Sequence, residues 1–390
     1  MSIFKNYIKI NLSPTLLFTD FLEWGSVGSA MLNAALNGTI CLLIASRLKS
    51  EIGGFYIAGF FTVVGFSFLG VTVYSSLPIF LGVMLYAKTK KVPFKNLLIL
   101  AMFSVGISPV VSQISFKGYF PIYVSIPLGF IVGLLIGFIL PPFSANTKKF
   151  HKGYNLYNTG FAIGIIGTFI NSFLKSFNII VEPISLMCQA NIPIIVGFLV
   201  VSCIYFIVVG LIIDKDALKN NLKLQKYSGI PDTDFTKIEG FASSFVNMGL
   251  LGLICVLFVL GLGGYLNGAA IAGMYSVVGF AAYGKNARNI LPIMLGVALA
   301  GLATNTPLSS SSVIVAALFA TAVAPITGEF GLLAGVVAGF LHLTLTKNTI
   351  FMHGGMNLFN NGFALGLIVV IMLPILEMIK ENRLKKQSIE

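Results

Sequence analysis

Residues 57–70, IAGFFTVVGFSFLG, return at 271–284 as IAGMYSVVGFAAYG. At that offset of 214 positions, residues 57–85 match residues 271–299 at 15 of 29 places without a gap. Apolar helices resemble one another by composition, but composition does not hold glycine and proline in register. Here Gly59, Gly65, Gly70, Pro78 and Gly82 coincide with Gly273, Gly279, Gly284, Pro292 and Gly296, and Asn33, Gly38 and Cys41 with Asn247, Gly252 and Cys255. A second match lies at an offset of 202, where HKGYNLYNTG from His151 meets HGGMNLFNNG from His353 and 10 of 16 places agree over 151–166. A repeat of this length makes the chain two copies of one structural unit.

Composition says what kind of unit. The 390 residues are 56% hydrophobic and 10% charged, with mean hydropathy +0.93, whereas soluble domains carry roughly 25% charged residues. The chain is an integral membrane protein by this reading, neither disordered nor a disulfide scaffold. Its 4 cysteines, Cys41, Cys188, Cys203 and Cys255, sit in apolar runs with no metal-binding spacing. Thirteen apolar stretches approach the about 20 residues that a crossing helix needs. They lie near 28–46, 54–71, 74–87, 97–114, 121–141, 155–174, 192–213, 243–262, 267–284, 289–303, 311–327, 330–346 and 361–379. The segments at 74–87 and 289–303 are short and hold Pro78 and Pro292, so each reads as a full crossing or as a half-helix.

The expected fold is an all-α polytopic transmembrane helical bundle of about thirteen spans. It divides into an N-terminal interfacial segment (1–27) around Trp24, a first repeat (28–178), a linking span with a polar cytoplasmic linker (179–240), a second repeat (241–380) and a basic tail (381–390). Lys5 and Lys9 precede Asp20 and Glu23 with no small-residue cleavage site, which argues against a cleaved signal peptide. Seven spans separate equivalent helices, so two repeats of about six spans with one extra linking span have inverted topology. Charge placement agrees. Positive residues follow the first, third and fifth spans of copy one (Arg47 and Lys49; Lys88, Lys90, Lys91 and Lys95; Lys148, Lys149 and Lys152), whereas the matching gap 304–307 of copy two is bare. Its charges move to alternate loops, as at Lys285 and Arg288 against neutral 71–74. Under the positive-inside rule this puts the N-terminus outside and the C-terminus, with Lys380, Arg383, Lys385 and Lys386, in the cytoplasm. Lys5, Lys9, Lys175 and Lys347 stand against it. The net charge of +12 is thus read as topology, with no nucleic-acid partner.

Inverted repeats in one chain are the signature of many secondary transporters, whose sites lie between the repeats. The substrate-pathway candidates are His151, Asn155 and Asn158, at i, i+4 and i+7 on one helical stripe, and their repeats His353, Asn357 and Asn360, with Asn361 beside them. The competing reading makes both stripes helix caps at opposite faces. Gly65 and Gly279 are expected in helix packing, and Pro78 and Pro292 as packing or helix-break positions. Lys285 and Arg288 read as interfacial topology determinants, and His342 as a packed histidine. Acids are nearly missing from the spans, so a buried carboxylate for proton coupling has no carrier and sodium or passive conduction fits better. No metal site, cofactor, nucleotide loop or protease motif occurs, so no enzyme is expected.

The stretches VVGFAAYGKNARNILPIMLGV from Val277 and HGGMNLFNNGFALG from His353 resemble a family of duplicated bacterial integral-membrane proteins known only as a domain of unknown function. The resemblance covers most of both halves and implies a bacterial cytoplasmic-membrane protein; it brings no substrate. The first copy departs from the motif, with Val71-Thr-Val-Tyr74 where the second has Lys285-Asn-Ala-Arg288. The function expected is a transporter or channel for a small polar or ionic solute, partnered by the bilayer and compatible with a homo-oligomer. The alternative is a non-transporting assembly or regulatory partner with an ancestral duplication.

Overall fold

Each copy of the repeat folds into the same succession of helices in a computed structural model, which describes residues 2–183, 185–230 and 233–387. Two linker positions, 231–232, and the end of the basic tail, 388–390, lie outside these. Copy one contributes α1 (Val27–Leu48), α2 (Gly54–Phe66), α3 (Val73–Thr89), α4 (Leu98–Ser104), α5 (Pro109–Phe116), α6 (Ile122–His151) and α7 (Asn158–Ser176). After the linking α8 (Pro193–Ile213), copy two supplies α9 (Gly240–Gly261), α10 (Gly268–Phe280), α11 (Ala287–Ala303), α12 (Ser311–Ala320), α13 (Ala324–Phe330), α14 (Leu332–Met352) and α15 (Asn360–Gln387). The two strands among the described residues, Phe18–Thr19 and Ser185–Leu186, are two residues each and pair in parallel. The fold is all-helical.

Among the described residues six helices are long and apolar enough to cross a membrane, or seven if the pair Leu98–Ile107 and Pro109–Phe116, bent by 46°, is one span. This makes a multi-pass membrane protein. Other expected spans are short: α2 and α10 have 13 residues each. At about 1.5 Å per residue they reach roughly 20 Å, against about 30 Å of hydrocarbon. The helix-break reading of Pro78 and Pro292 is corrected, because α3 and α11 run through both prolines. The break falls one helix later, at the 3-10 turns Val105–Ile107 and Thr321–Val323. Pro109 and Pro325 then open the following helices, where a missing N–H costs nothing.

The copies share individual hydrogen bonds. Asn33 Nδ2 donates to the carbonyls of Ser67 and Val71, both at 2.8 Å, and Asn247 Nδ2 to those of Ala281 and Lys285 at 2.7 and 2.8 Å. Capping boxes open α3 (Thr72 with Ser75) and α11 (Asn286 with Asn289). Where α2 lies on α10, a Cβ at Gly65 would stand 3.0 Å from Ala272 Cα, and one at Gly279 3.0 Å from Ala58 Cα. Small residues thus bring the backbones together, and the contacts pair the start of each helix with the end of the other.

Two expectations about the polar segments change. The N-terminal stretch is more than an interfacial apron: behind the helix Ile3–Asn11, Thr15, Leu16, Leu17, Asp20 and Phe21 are buried, and Thr15 Oγ1 donates to the Gly70 carbonyl at 2.8 Å. The linker is not simply solvated either, since the Leu224 and Tyr227 carbonyls accept from Asn286 Nδ2 at 2.9 and 3.0 Å. These two stretches correspond at the 214 offset, Thr19-Asp20-Phe21 with Thr233-Asp234-Phe235. Asp20 starts the short helix Phe21–Trp24 and also accepts from the Gly268 N–H opening α10, at 3.0 Å. Asp234 starts Phe235–Ile238 and accepts from the Gly54 N–H opening α2, at 3.0 and 3.1 Å. Each carboxylate therefore caps a helix of the other copy, where the positive end of the helix dipole favours it.

Candidate functional site

His151, Asn155 and Asn158 do not form a stripe on one helix. The chain leaves α6 at His151 through Lys152 (φ 48°) and Gly153 (φ 85°), and α7 begins only at Asn158. The residues instead lock this joint. His151 Nε2 and Asn158 Oδ1 lie 2.9 Å apart, Thr147 Oγ1 donates to the same oxygen at 3.0 Å, and Asn158 Nδ2 donates to the carbonyl and hydroxyl of Ser144, each at 2.9 Å. The second copy repeats the lock between α14 and α15. His353 Nε2 lies 2.9 Å from Asn360 Oδ1, Thr349 Oγ1 donates there at 2.8 Å, and Asn360 Nδ2 donates to the carbonyl and hydroxyl of Thr346 at 2.9 and 3.1 Å. Asn361 Oδ1 faces His342 Nε2 at 2.9 Å.

The joints also carry the contact between copies. Asn155 Nδ2 donates to the Gly362 carbonyl at 2.9 Å, tying the first joint to α15. The N–H of Leu156 donates to the Ala322 carbonyl in the broken helix of copy two, and that of Leu358 to the Gly106 carbonyl in the broken helix of copy one, at 2.9 and 2.8 Å. Asn357 is fully buried, its Oδ1 accepting from the Phe359 N–H at 2.9 Å.

Between the copies stands a cluster of six rings. Phe66 meets Phe359 with centroids 4.6 Å apart, and its counterpart Phe280 meets Tyr157 at 5.1 Å. Phe66 lies 5.8 Å from Phe319, and Phe280 5.7 Å from Phe103. Tyr157 and Phe359, equivalent to each other, stand 5.4 Å apart. A cavity of about 490 Å³ leads to this cluster. Its mouth is lined by Asn96, Ala145 and Lys148, its wall by Ser144, His151, Asn155 and Asn158, and its floor by Phe103, Tyr157 and Phe359. So the first-copy candidates line a space although His151 and Asn155 are themselves only 0–1% exposed, and His353, Asn357, Asn360 and Asn361 are buried at 0–4% exposure. Gly65 and Gly279 hold the α2–α10 crossing, and Pro78 packs where a Cβ at Gly133 would meet it at 2.8 Å.

A family model described as "Protein of unknown function (DUF1576)" matches residues 1–176 and 213–378. The chain belongs to this family. The matched segments correspond to the two copies, as expected of a duplicated family. No curated protein and no solved structure matches the chain.

One residue of this DUF1576 chain defeats the sequence reading. Lys285 is not the interfacial cation its place between two apolar runs predicts: it is 0% exposed. Its Nζ donates to Tyr157 Oη at 2.7 Å and Thr321 Oγ1 at 2.8 Å, and stands 4.6 and 5.1 Å from the ring centroids of Tyr157 and Phe280. A hydropathy profile places any lysine between two apolar runs at a membrane boundary. The usable signal was the length of α10, whose 13 residues leave the following turn inside the protein. Arg288, three residues on, has its N–H within 3.3 Å of Gln225 Oε1 in the linker.

Proposed function

We propose that the chain is a transporter or channel whose two copies lie inverted in the membrane, with a small polar or ionic solute passing between them. The observation that carries this reading is the cavity of about 490 Å³ between the exposed Asn96, Ala145 and Lys148 and the aromatic cluster where the copies meet. A space lined by His151, Asn155 and Asn158 at a repeat interface is where such proteins place a solute. Inversion is supported by the reciprocal caps. Asp20 reaches the start of α10 and Asp234 the start of α2, and α1 and α9, of 22 residues each, stand between each aspartate and the equivalent helix of its own copy. Loop contacts agree with the faces assigned to the loops. The ion pairs Lys152–Glu377, Lys237–Glu51 and Lys380–Glu329 each join segments assigned to the cytoplasmic face, and Lys347 meets Thr306 on the other at 2.8 Å.

In this reading the protein sits in a bacterial cytoplasmic membrane with its C-terminus inside, in contact with lipid and its solute, alone or as a homo-oligomer. The second-copy joint, whose His–Asn–Thr bonds repeat those of the first, is assigned to packing because the cavity opens beside the first-copy joint. The test is light-scattering of proteoliposomes challenged with urea, glycerol, sodium acetate and sodium nitrate gradients. Protein-containing vesicles should relax at least ten-fold faster than empty ones for one of these, and Ala145→Trp, at the exposed mouth of the cavity, should abolish the gain while the protein stays folded. Relaxation equal to empty vesicles for all four, or full flux in the Ala145→Trp protein, contradicts the proposal.

A further inference from the structure

We propose that Lys285, Tyr157 and Thr321 form a recognition site for a small monovalent anion at the interface of the two copies; this deepens the transport reading above and rests on it for access, not for binding. The molecule contains its own comparison. By the two repeat offsets and the matching bonds, Lys285 corresponds to Val71, Tyr157 to Phe359 and Thr321, the first residue of its 3-10 turn, to Val105. Val71 and Lys285 occupy the same turn: their N–H groups donate to Phe66 and Phe280 carbonyls at 3.1 and 3.0 Å. Val71, Val105 and Phe359 are all 0% exposed. The fold is therefore content with three apolar side chains at this place, and at the equivalent place across the repeat interface Lys285 and Thr321 of copy two with Tyr157 of copy one supply an ammonium and two hydroxyls instead.

Packing gives no reason for the exchange. Removing an ammonium from water is costly unless a counter-charge meets it, and among the described residues the ion pairs engage Lys152, Lys237 and Lys380, with no carboxylate on Lys285. Of its three N–H donors, two go to Tyr157 and Thr321. Tyr157, accepting from the ammonium, keeps its own O–H to donate. The Thr321 hydroxyl, besides accepting from the ammonium, donates to the Leu318 carbonyl at 2.6 Å, so the donors left at this point are the third ammonium N–H and the Tyr157 O–H; with no carboxylate facing them they select an anion over a cation, and a single ammonium selects a monovalent one. An intramembrane ionisable residue is a functional-site candidate by default. Access is provided by Tyr157, whose ring floors the cavity while its hydroxyl holds Lys285. A rotation of that side chain would join cavity and ammonium, making the phenol a partition between solute path and site.

The test uses the full chain in detergent, with sodium gluconate replaced stepwise by sodium bromide, nitrate or acetate, and thermal unfolding as readout. The comparison protein carries Lys285→Val, Tyr157→Phe and Thr321→Val together, which copies the apolar arrangement already stable in the other copy. We expect a saturable rise of several degrees in the wild type with at least one of these anions and none in the triple variant, whose unfolding temperature in gluconate is no lower. Equal responses in both proteins, or no response in the wild type, overturn the site whatever the flux. A response confined to the wild type, with no flux in proteoliposomes, keeps the anion site and overturns transport. Flux of sodium nitrate or acetate that survives the triple substitution keeps transport and overturns this site as the one on its path.

Discussion

Asp20→Ala is expected to lower stability far more than Asp234→Ala, although the two occupy equivalent positions in the repeat. Asp20 is 0% exposed and its carboxylate accepts three backbone N–H groups: Leu22 at 2.8 Å, Cys188 at 3.0 Å and Gly268 at 3.0 Å. Alanine would strand three buried donors, at about 1–3 kcal/mol each. Three parts of the chain then lose a common anchor: the N-terminal stretch, the segment before α8 and the start of α10. Asp234 performs the matching cap on α2, but it is partly exposed, so water can replace the lost oxygens. Thermal unfolding in detergent should show a drop of many degrees for Asp20→Ala and a small one for Asp234→Ala. Equal effects would mean that the buried anchor does not matter.

Gly296→Ala should be the other large loss. At this point α11 crosses α14 so closely that a Cβ would stand 2.0 Å from the Val336 carbonyl oxygen. Its counterpart Gly82 would place one 2.2 Å from the Leu134 carbonyl oxygen where α3 crosses α6. Neither obstacle is a flexible side chain end, so the helices must part, and overpacking of this kind costs typically about 1–3 kcal/mol or more. Gly197, in the second turn of α8, has nothing within 4 Å of its would-be Cβ. Gly197→Ala should be neutral or slightly stabilising, because glycine carries an entropic penalty of about 0.5–1 kcal/mol in a helix. The same unfolding measurement compares all three, and a Gly296→Ala protein as stable as Gly197→Ala would refute the crossing.

Much of this arrangement was legible in the residues. Glycines held in register at the 214 offset proved to be backbone contacts, Gly65 on α10 and Gly82 on α6, because close approach tolerates no substitute. Short local matches carry less signal. Thr19-Asp20-Phe21 and Thr233-Asp234-Phe235 agree in three residues at the same offset, yet they lie in polar stretches where a hydropathy reading expects only loop or linker. The His–Asn spacing fits the period of a helical stripe. Gly153, with φ of 85°, and Gly354, with φ of 60°, end that helix and turn the spacing into a joint. Lys285 was out of reach for a deeper reason. Depth in the membrane depends on which helices are short and on what covers their ends, and both are tertiary properties. Only after the copies are superposed in register does the exchange of Val71, Phe359 and Val105 for Lys285, Tyr157 and Thr321 stand out.

The inverted relation of the copies is tested most directly at Lys91 and Asn305. These are exposed, lie two residues beyond the ends of α3 and α11, correspond at the 214 offset and share a left-handed backbone, with φ of 55° and 50°. In a protein whose four buried cysteines are replaced by alanine, Lys91→Cys and Asn305→Cys are each labelled in intact cells with a membrane-impermeant maleimide. Inversion predicts that only Asn305→Cys reacts from outside and that Lys91→Cys reacts after permeabilisation alone. Labelling of both positions from the same side would contradict it.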